Sequence, residues 1–278
     1  MAFWARALFK NEVFIVPTKQ NTYVSVLDEP PLAIPTRVLV ELPKYSIVAY
    51  GQEARPVEHA GLKQAKVVVP FSAVEIFDEA AAILYLRAVM YAVLGKSFFL
   101  KPRVYLSQLS QVSPFMQELW QYVLGQAGAR EVETVNPLLA VAAGAGLPIN
   151  ASAGFAIGWW DDDHLLLGLV AFGHIQYEQD FVFPGNLADA NRDELASFFS
   201  QCWDQFLIKL PGEFRTIIAV EGGIISIAND DPILATIFSQ LAGSPIGVLP
   251  RNVEILGMKK LIGELKATRF TGSRFEQE

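Results

Sequence analysis

An α/β fold, with material for one large core or two linked lobes, is what the sequence predicts, on three observations. First, Ala153 to Gly185 reads as three short strands, Phe155–Trp160, Leu165–Phe172 and Ile175–Phe183, joined by the polar turn Asp161-Asp162-Asp163 and by Gly173. Second, other strand-like runs, such as Val13–Leu27, share the chain with long helix-like runs such as Glu75–Gly95. Third, 278 residues at 52% hydrophobic, with a mean hydropathy of +0.30, can bury a core of that size.

Composition narrows the function classes. The most apolar run, Ala80 to Leu94, is interrupted by Arg87 and reads as a buried helix rather than a membrane span. A net charge of −7 and an isoelectric point near 5.1 argue against nucleic acid as a partner. The single cysteine, Cys202, excludes internal disulfides and fits a reducing cytosol. The first residues lack the sustained apolar core and small-residue cleavage site of a secretory signal.

In chain order, Met1 to Lys10 comes first. At helical spacing Trp4 and Leu8 share a face with Met1, flanked by Phe9, and the only charges are Arg6 and Lys10. With Phe3, these residues suit insertion at an anionic membrane surface. Val13 to Leu27 reads as strand, turn, strand. Glu75 to Gly95 is a helix apolar over most of its surface. Phe98, Phe99 and Leu100, bounded by Lys96 and Lys101, form a candidate membrane-dipping tip before the strand Arg103–Leu106. Pro114 to Gly125 is an amphipathic helix. A helix over Arg192–Leu210 carries the stripe Leu195, Phe198, Phe199, Cys202, Trp203, Phe206, so Cys202 belongs to a core and not to catalysis. Thr216 to Ile227 reads as a strand running into a turn. Pro232–Leu241, the strand within G-S-P-I-G-V-L-P and Val253–Leu265 close the chain as helix, strand and helix, and Thr268–Glu278 is a frayed tail.

Several of these stretches share a frame with one family. The strand–turn–strand from Ala153, the Asn21-Thr22 pair, Glu29-Pro30, Gly51 to Ala54 and the segment Q-A-G-A-R-E-V-E-T-V-N-P resemble MreB, the bacterial actin of the actin/Hsp70/sugar-kinase superfamily. That resemblance implies an actin-like, ribonuclease H-like, two-lobed α/β fold with duplicated mixed sheets flanked by helices. It implies a first lobe over 11–137, with a small subdomain at about 28–69, and a second lobe over 138–267. The chain passes from Gly185 almost directly into the helix at Arg192, so the second small subdomain is expected to be deleted near 186–191, which puts ordinary polymerisation in doubt. Residues 1–10 and the 98–100 tip match the membrane-binding elements of the family, and 268–278 is a tail.

The resemblance also marks positions where the family's ATP chemistry is lost. Its hairpin ends the first strand on a carboxylate and turns on glycines; here those positions hold Trp159 and Asp161, Asp162 and Asp163. A phosphate-binding turn needs close backbone approach and unopposed N–H dipoles. Aspartates add side chains, and each close contact with a phosphate is repulsive by roughly 1–4 kcal/mol. In the first hairpin the family's aspartate, glycine and threonine are replaced by Val16, Thr18 and Lys19, with Pro17 removing an N–H donor. The two glutamates before the family's proline, one of which positions the attacking water, become Val135 and Asn136, and neither is a general base. Of the adenosine loop, Gly222 and Gly223 survive after Glu221. Carboxylates with His164 nearby could attract a divalent metal, yet the chain offers no second ligand cluster, and a solvated turn is the expectation.

The resulting expectation is a pseudo-ATPase without cofactor or metal: an MreB-like scaffold on the inner face of the cytoplasmic membrane. Its partners are an anionic membrane surface and other proteins of the cell-shape, division or envelope machinery, with no nucleic acid. Assembly as a homo-oligomer or with MreB-type filaments stays open. The alternatives are a residual nucleotide-dependent, filament-forming ATPase and an actin-like adaptor of a pilus or secretion assembly.

Overall fold

The computed structural model describes residues 11–41, 44–54, 65–95, 100–185, 190–215, 223–227 and 246–272, with only the backbone at 227, 246 and beyond 266. The chain divides into two compact units, Met1–Asn136 and Pro137–Glu278.

In the first unit a five-stranded sheet is built from β1 (Glu12–Val16), β2 (Asn21–Val26), β3 (Leu32–Pro35), β7 (Arg103–Ser107) and β8 (Glu131–Val135), in the order β3-β2-β1-β7-β8. β1 pairs antiparallel with β2, and β2 with β3, while β1, β7 and β8 are parallel. Between β3 and the first helix a second, three-stranded sheet is inserted: β4 (Val38–Glu41), β5 (Ser46–Tyr50) and β6 (Ala65–Val68), ordered β5-β4-β6. Leu32–Pro35 pairs with β2, so the separate small sheet starts at Val38 rather than at the Asp28 end of the expected subdomain.

Helix α1 (Glu79–Leu94) starts where the Asp78 side chain accepts the Ala81 N–H at 3.0 Å, and it stops at Gly95, which takes φ +52°. Such a cap is worth about 1 kcal/mol. The other oxygen of Asp78 accepts the hydroxyl of Tyr45, which sits in the small sheet's hairpin. α2 (Pro114–Ala127) is capped by Ser113 and ended by Gly128 at φ +118°. Both helices bury against one face of the sheet, with Tyr85, Leu86, Met90 and Trp120 meeting Val13, Ile15, Val24 and Leu106. Each such side chain contributes about 1.5–3 kcal/mol by leaving water.

The second unit repeats the plan. β9 (Phe155–Asp161), β10 (His164–Ala171), β11 (His174–Val182), β12 (Gly223–Ile227) and β13 (Ile246–Pro250) lie in the order β11-β10-β9-β12-β13. The first three are antiparallel neighbours, and β9, β12 and β13 are parallel. α4 (Arg192–Lys209) covers one face through Leu195, Phe199, Cys202 and Phe206. Its start carries a full capping box, Asn191 with Glu194. α3 (Pro137–Gly144) and α5 (Asn252–Gly272) pack closely on one another. A Cβ on Gly257 would fall 1.7 Å from the Ala140 carbonyl oxygen, and one on Gly144 would fall 2.0 Å from that of Val253. The two helix backbones therefore touch.

Three local differences from the sequence reading have physical causes. Asp161 belongs to β9, so the first hairpin turns on Asp162-Asp163 alone, with Asp162 at φ +51°. The end of the stretch Thr216–Ile227, expected to turn, is strand β12 from Gly223, whose glycine fits against Ala156 of β9 and the Trp203 indole, while residues 216–222 lie outside the described residues. α5 runs on to Gly272, past the start of the expected tail at Thr268. Residues 183–191 connect β11 to α4, and the centre of that connection lies outside the described residues, as does the expected helix Pro232–Leu241.

Candidate functional site

In each unit the singled-out residues gather at the carboxyl ends of parallel strands, where open α/β sheets place their ligands. Val16 ends β1, Val135 ends β8 and Trp159 to Asp161 end β9.

In the first unit, residues 17–20 form the β1–β2 loop. Thr18 is fully buried, and its hydroxyl donates to the Asn21 carbonyl at 2.6 Å while accepting the Asn21 N–H at 3.1 Å. The loop thus spends on itself an N–H that a phosphate loop would offer to an anion. Lys19 is exposed. At the end of β8, Asn136 donates through Nδ2 to Ser110 Oγ at 2.6 Å, and the Val135 carbonyl accepts the Gln108 N–H at 3.0 Å. Neither Val135 nor Asn136 supplies a carboxylate.

In the second unit Trp159 is 2% exposed and is built into a buried charge cluster. Its Nε1 donates to Glu254 Oε2 at 3.0 Å. The Arg251 guanidinium lies over its ring, 4.5 Å from the centroid, and reaches Glu254 at 3.6 Å. Arg251 also donates to the Trp160 carbonyl. Both charged side chains are fully buried, so each requires the other: an unpaired buried charge costs several kcal/mol. The cation–π contact adds about 1–2 kcal/mol in such a desolvated place. Three residues, from two strand ends and the first turn of α5, therefore fill the carboxyl end of β9 with the protein's own charges. Sequence reasoning missed Arg251 and Glu254. Their signal was an i,i+3 pair of opposite charge alternating with the apolar Val253 and Ile255.

The acidic turn is organised as well. Trp160 Nε1 donates to the Asp162 carbonyl at 3.0 Å. His164 Nδ1 lies 3.0 Å from Asp180 Oδ2, and Nε2 lies 3.7 Å from Asp163 Oδ1. Hydrogen bonding to Asp180 raises the His164 pKa, burial pulls it back, and the charges of Asp180, Asp163 and Asp161 add to the rise. A folded-state pKa above the unfolded value of about 6.5 means that protonation favours the native state. This stabilisation is complete below about pH 6.5 and is lost as pH rises through the folded value. Thermal melts of the parent are expected to fall more steeply than those of His164→Gln as pH rises above about 6.5; parallel curves would refute the coupling.

Among the described residues no group of three or more histidine, cysteine, aspartate or glutamate side chains is arranged to hold a metal ion. Gly223 is a packed strand residue, while Gly222 lies outside the described residues. Burial pushes the Cys202 thiol up to about 12, which keeps it protonated and inert. Of the membrane candidates, Leu100 is 57% exposed, and Phe3, Trp4, Leu8, Phe9, Phe98 and Phe99 lie outside the described residues. No described helix is long and apolar enough to cross a membrane.

The family model for MreB/Mbl protein matches residues 17–158, just over half of the chain. Among solved structures, MreB5 of Spiroplasma citri bound to AMPPNP superposes with a TM-score of 0.72 at 17% identity, covering 94% of this chain and 99% of that one. Its ADP-bound form gives 0.72 and 17%, with 93% and 98% covered. The MamK double helical filament gives 0.62 at 11% identity, with 91% and 99% covered. No curated protein matches. With the family model matched over its first lobe and the start of its second, and a fold laid out on the same duplicated plan, this chain belongs to the MreB/Mbl family of actin-like cytoskeletal proteins.

Proposed function

We propose that this chain is a pseudo-ATPase of its family: a scaffold on the inner face of the cytoplasmic membrane that binds other proteins of the cell-shape, division or envelope machinery without a nucleotide switch. The observation that carries this reading is Trp159. At the strand end where a carboxylate would act, a buried indole is committed to Glu254 and Arg251. The self-satisfied Thr18 loop and the Asn136–Ser110 bond support the same reading. Deletion of a small subdomain near 186–191 is part of the proposal, as is assembly into oligomers or with MreB-type filaments, the latter suggested by the filament of MamK.

Membrane association rests on one contact. Asn11 Nδ2 donates to the Leu100 carbonyl at 3.1 Å, and the Arg103 N–H donates to the Asn11 carbonyl at 2.7 Å. Asn11 and Leu100, which adjoin the apolar stretches 1–10 and 98–99 in the sequence, are therefore neighbours, and two weak anchors at one place bind far better than one.

A thermal melt with ATP or ADP and Mg²⁺ tests the loss of nucleotide. A ligand at a hundred times its Kd stabilises by about 2.7 kcal/mol; no shift is expected at millimolar nucleotide. A clear rise would favour the second reading, a residual nucleotide-binding ATPase. One observation speaks for that reading: Asp161 is a buried carboxylate two residues beyond Trp159, on the same face of β9.

A further inference from the structure

A cavity of about 240 Å³ opens in the first unit between the β2–β3 turn and the last turn of α1. Val26, Pro30, Leu32, Val93 and Leu94 give it an apolar lining, and Glu29 stands with them. It is smaller than the roughly 300–1,000 Å³ of small-molecule sites and suits one large apolar side chain. Leu32 is left 48% exposed there.

The place where the chain enters the fold lies beside it. Val13 pairs directly with Val26 across β1 and β2, so Asn11 lies two residues from the strand neighbour of a lining residue. Adjacent strands are about 5 Å apart. Ten residues ahead of Asn11 span about 15 Å as a helix and up to roughly 33 Å extended, so the cavity is within their reach. That stretch carries Phe3, Trp4, Leu8 and Phe9, and its charges, Arg6 and Lys10, are opposite in sign to Glu29.

We propose that residues 1–10 park in this cavity through Trp4 when no membrane is at hand and leave it to enter the bilayer. The parking presupposes the membrane reading above and adds its control: only the unparked fraction is competent, so the apparent membrane affinity is scaled down by that fraction.

Two substitutions at exposed positions separate the parts, Ala92→Phe to fill the cavity and Leu32→Gln to make its rim polar. In the full-length protein without lipid, trypsin cleavage after Arg6 and Lys10 is followed by intact mass. Both variants, melting like the parent, are expected to be cut at least about fivefold faster, because cleavage tracks the open fraction. Equal rates overturn the parking. On vesicles rich in phosphatidylglycerol both variants should pellet at several-fold lower lipid than the parent, and a chain lacking residues 1–10 should stay in solution. If the truncated chain pellets like the parent, the membrane reading falls and the release step with it. Equal cleavage together with a truncated chain that fails to pellet overturns the parking alone. A changed oligomeric state in light scattering with unchanged cleavage assigns the cavity to a second copy and likewise overturns the parking.

Discussion

Glu254→Ala is expected to destabilise the second unit by about 3–5 kcal/mol, because it strands the Arg251 guanidinium in the interior with no opposite charge. At roughly 2–4 °C per kcal/mol, the melting temperature should drop by about 10 °C. The companion variant decides the mechanism. Arg251→Met with Glu254→Leu removes both charges and refills their volume, and such replacements of buried pairs are commonly neutral or stabilising by about 1–4 kcal/mol. The double variant should therefore melt above Glu254→Ala. If the two melt together, the loss comes from packing around α5 and not from an orphaned charge.

The second large effect is expected at the α3–α5 crossing. Gly257→Ala introduces a methyl group 1.7 Å from the Ala140 carbonyl oxygen and 2.7 Å from the Gly144 nitrogen, both backbone atoms that cannot rotate away. Alanine would by itself favour the helix by about 0.5–1 kcal/mol. The clash outweighs that gain, since forcing packed backbones apart costs about 1–3 kcal/mol or more and the whole crossing must open. A net loss of about 3 kcal/mol is expected by chemical denaturation. Gly263→Ala on the same helix, where nothing lies within 4 Å of the added carbon, is the control and should be neutral or stabilising. Equal behaviour of the two variants would rule out close backbone contact as the reason for the glycine at 257.

The fold was largely legible because its signals are periodic and local. The short apolar runs Phe155–Trp160 and Leu165–Phe172, bounded by turn residues, read as buried strands, and the helical stripe Leu195, Phe199, Cys202, Phe206 points to one face. The turn chemistry of the acidic hairpin was legible only to within a residue: Asp161 completes the strand, and Asp162 accepts the left-handed backbone that aspartate tolerates better than most residues. Gly223 misled because a glycine pair reads as a turn when the packing partner, Trp203 on another element, is twenty residues away.

At the candidate site, the sequence names the residues at the strand ends but not what packs against them. Val135, Asn136 and Trp159 can be recognised as non-carboxylates from their identity alone. That Trp159 is held by Glu254 and Arg251, some ninety residues later in the chain, depends on how α5 begins against β9. A charged pair at a helix start normally reads as solvated surface, and only its complete burial gives it another meaning.

The single carboxylate of Asp78 holds two structures at once, the first turn of α1 with one oxygen and the Tyr45 phenol of the small sheet with the other. Mechanically it is a rivet through two plates. A force that swings the small sheet sideways pulls on the same side chain that pins the helix start, so the two are loaded together.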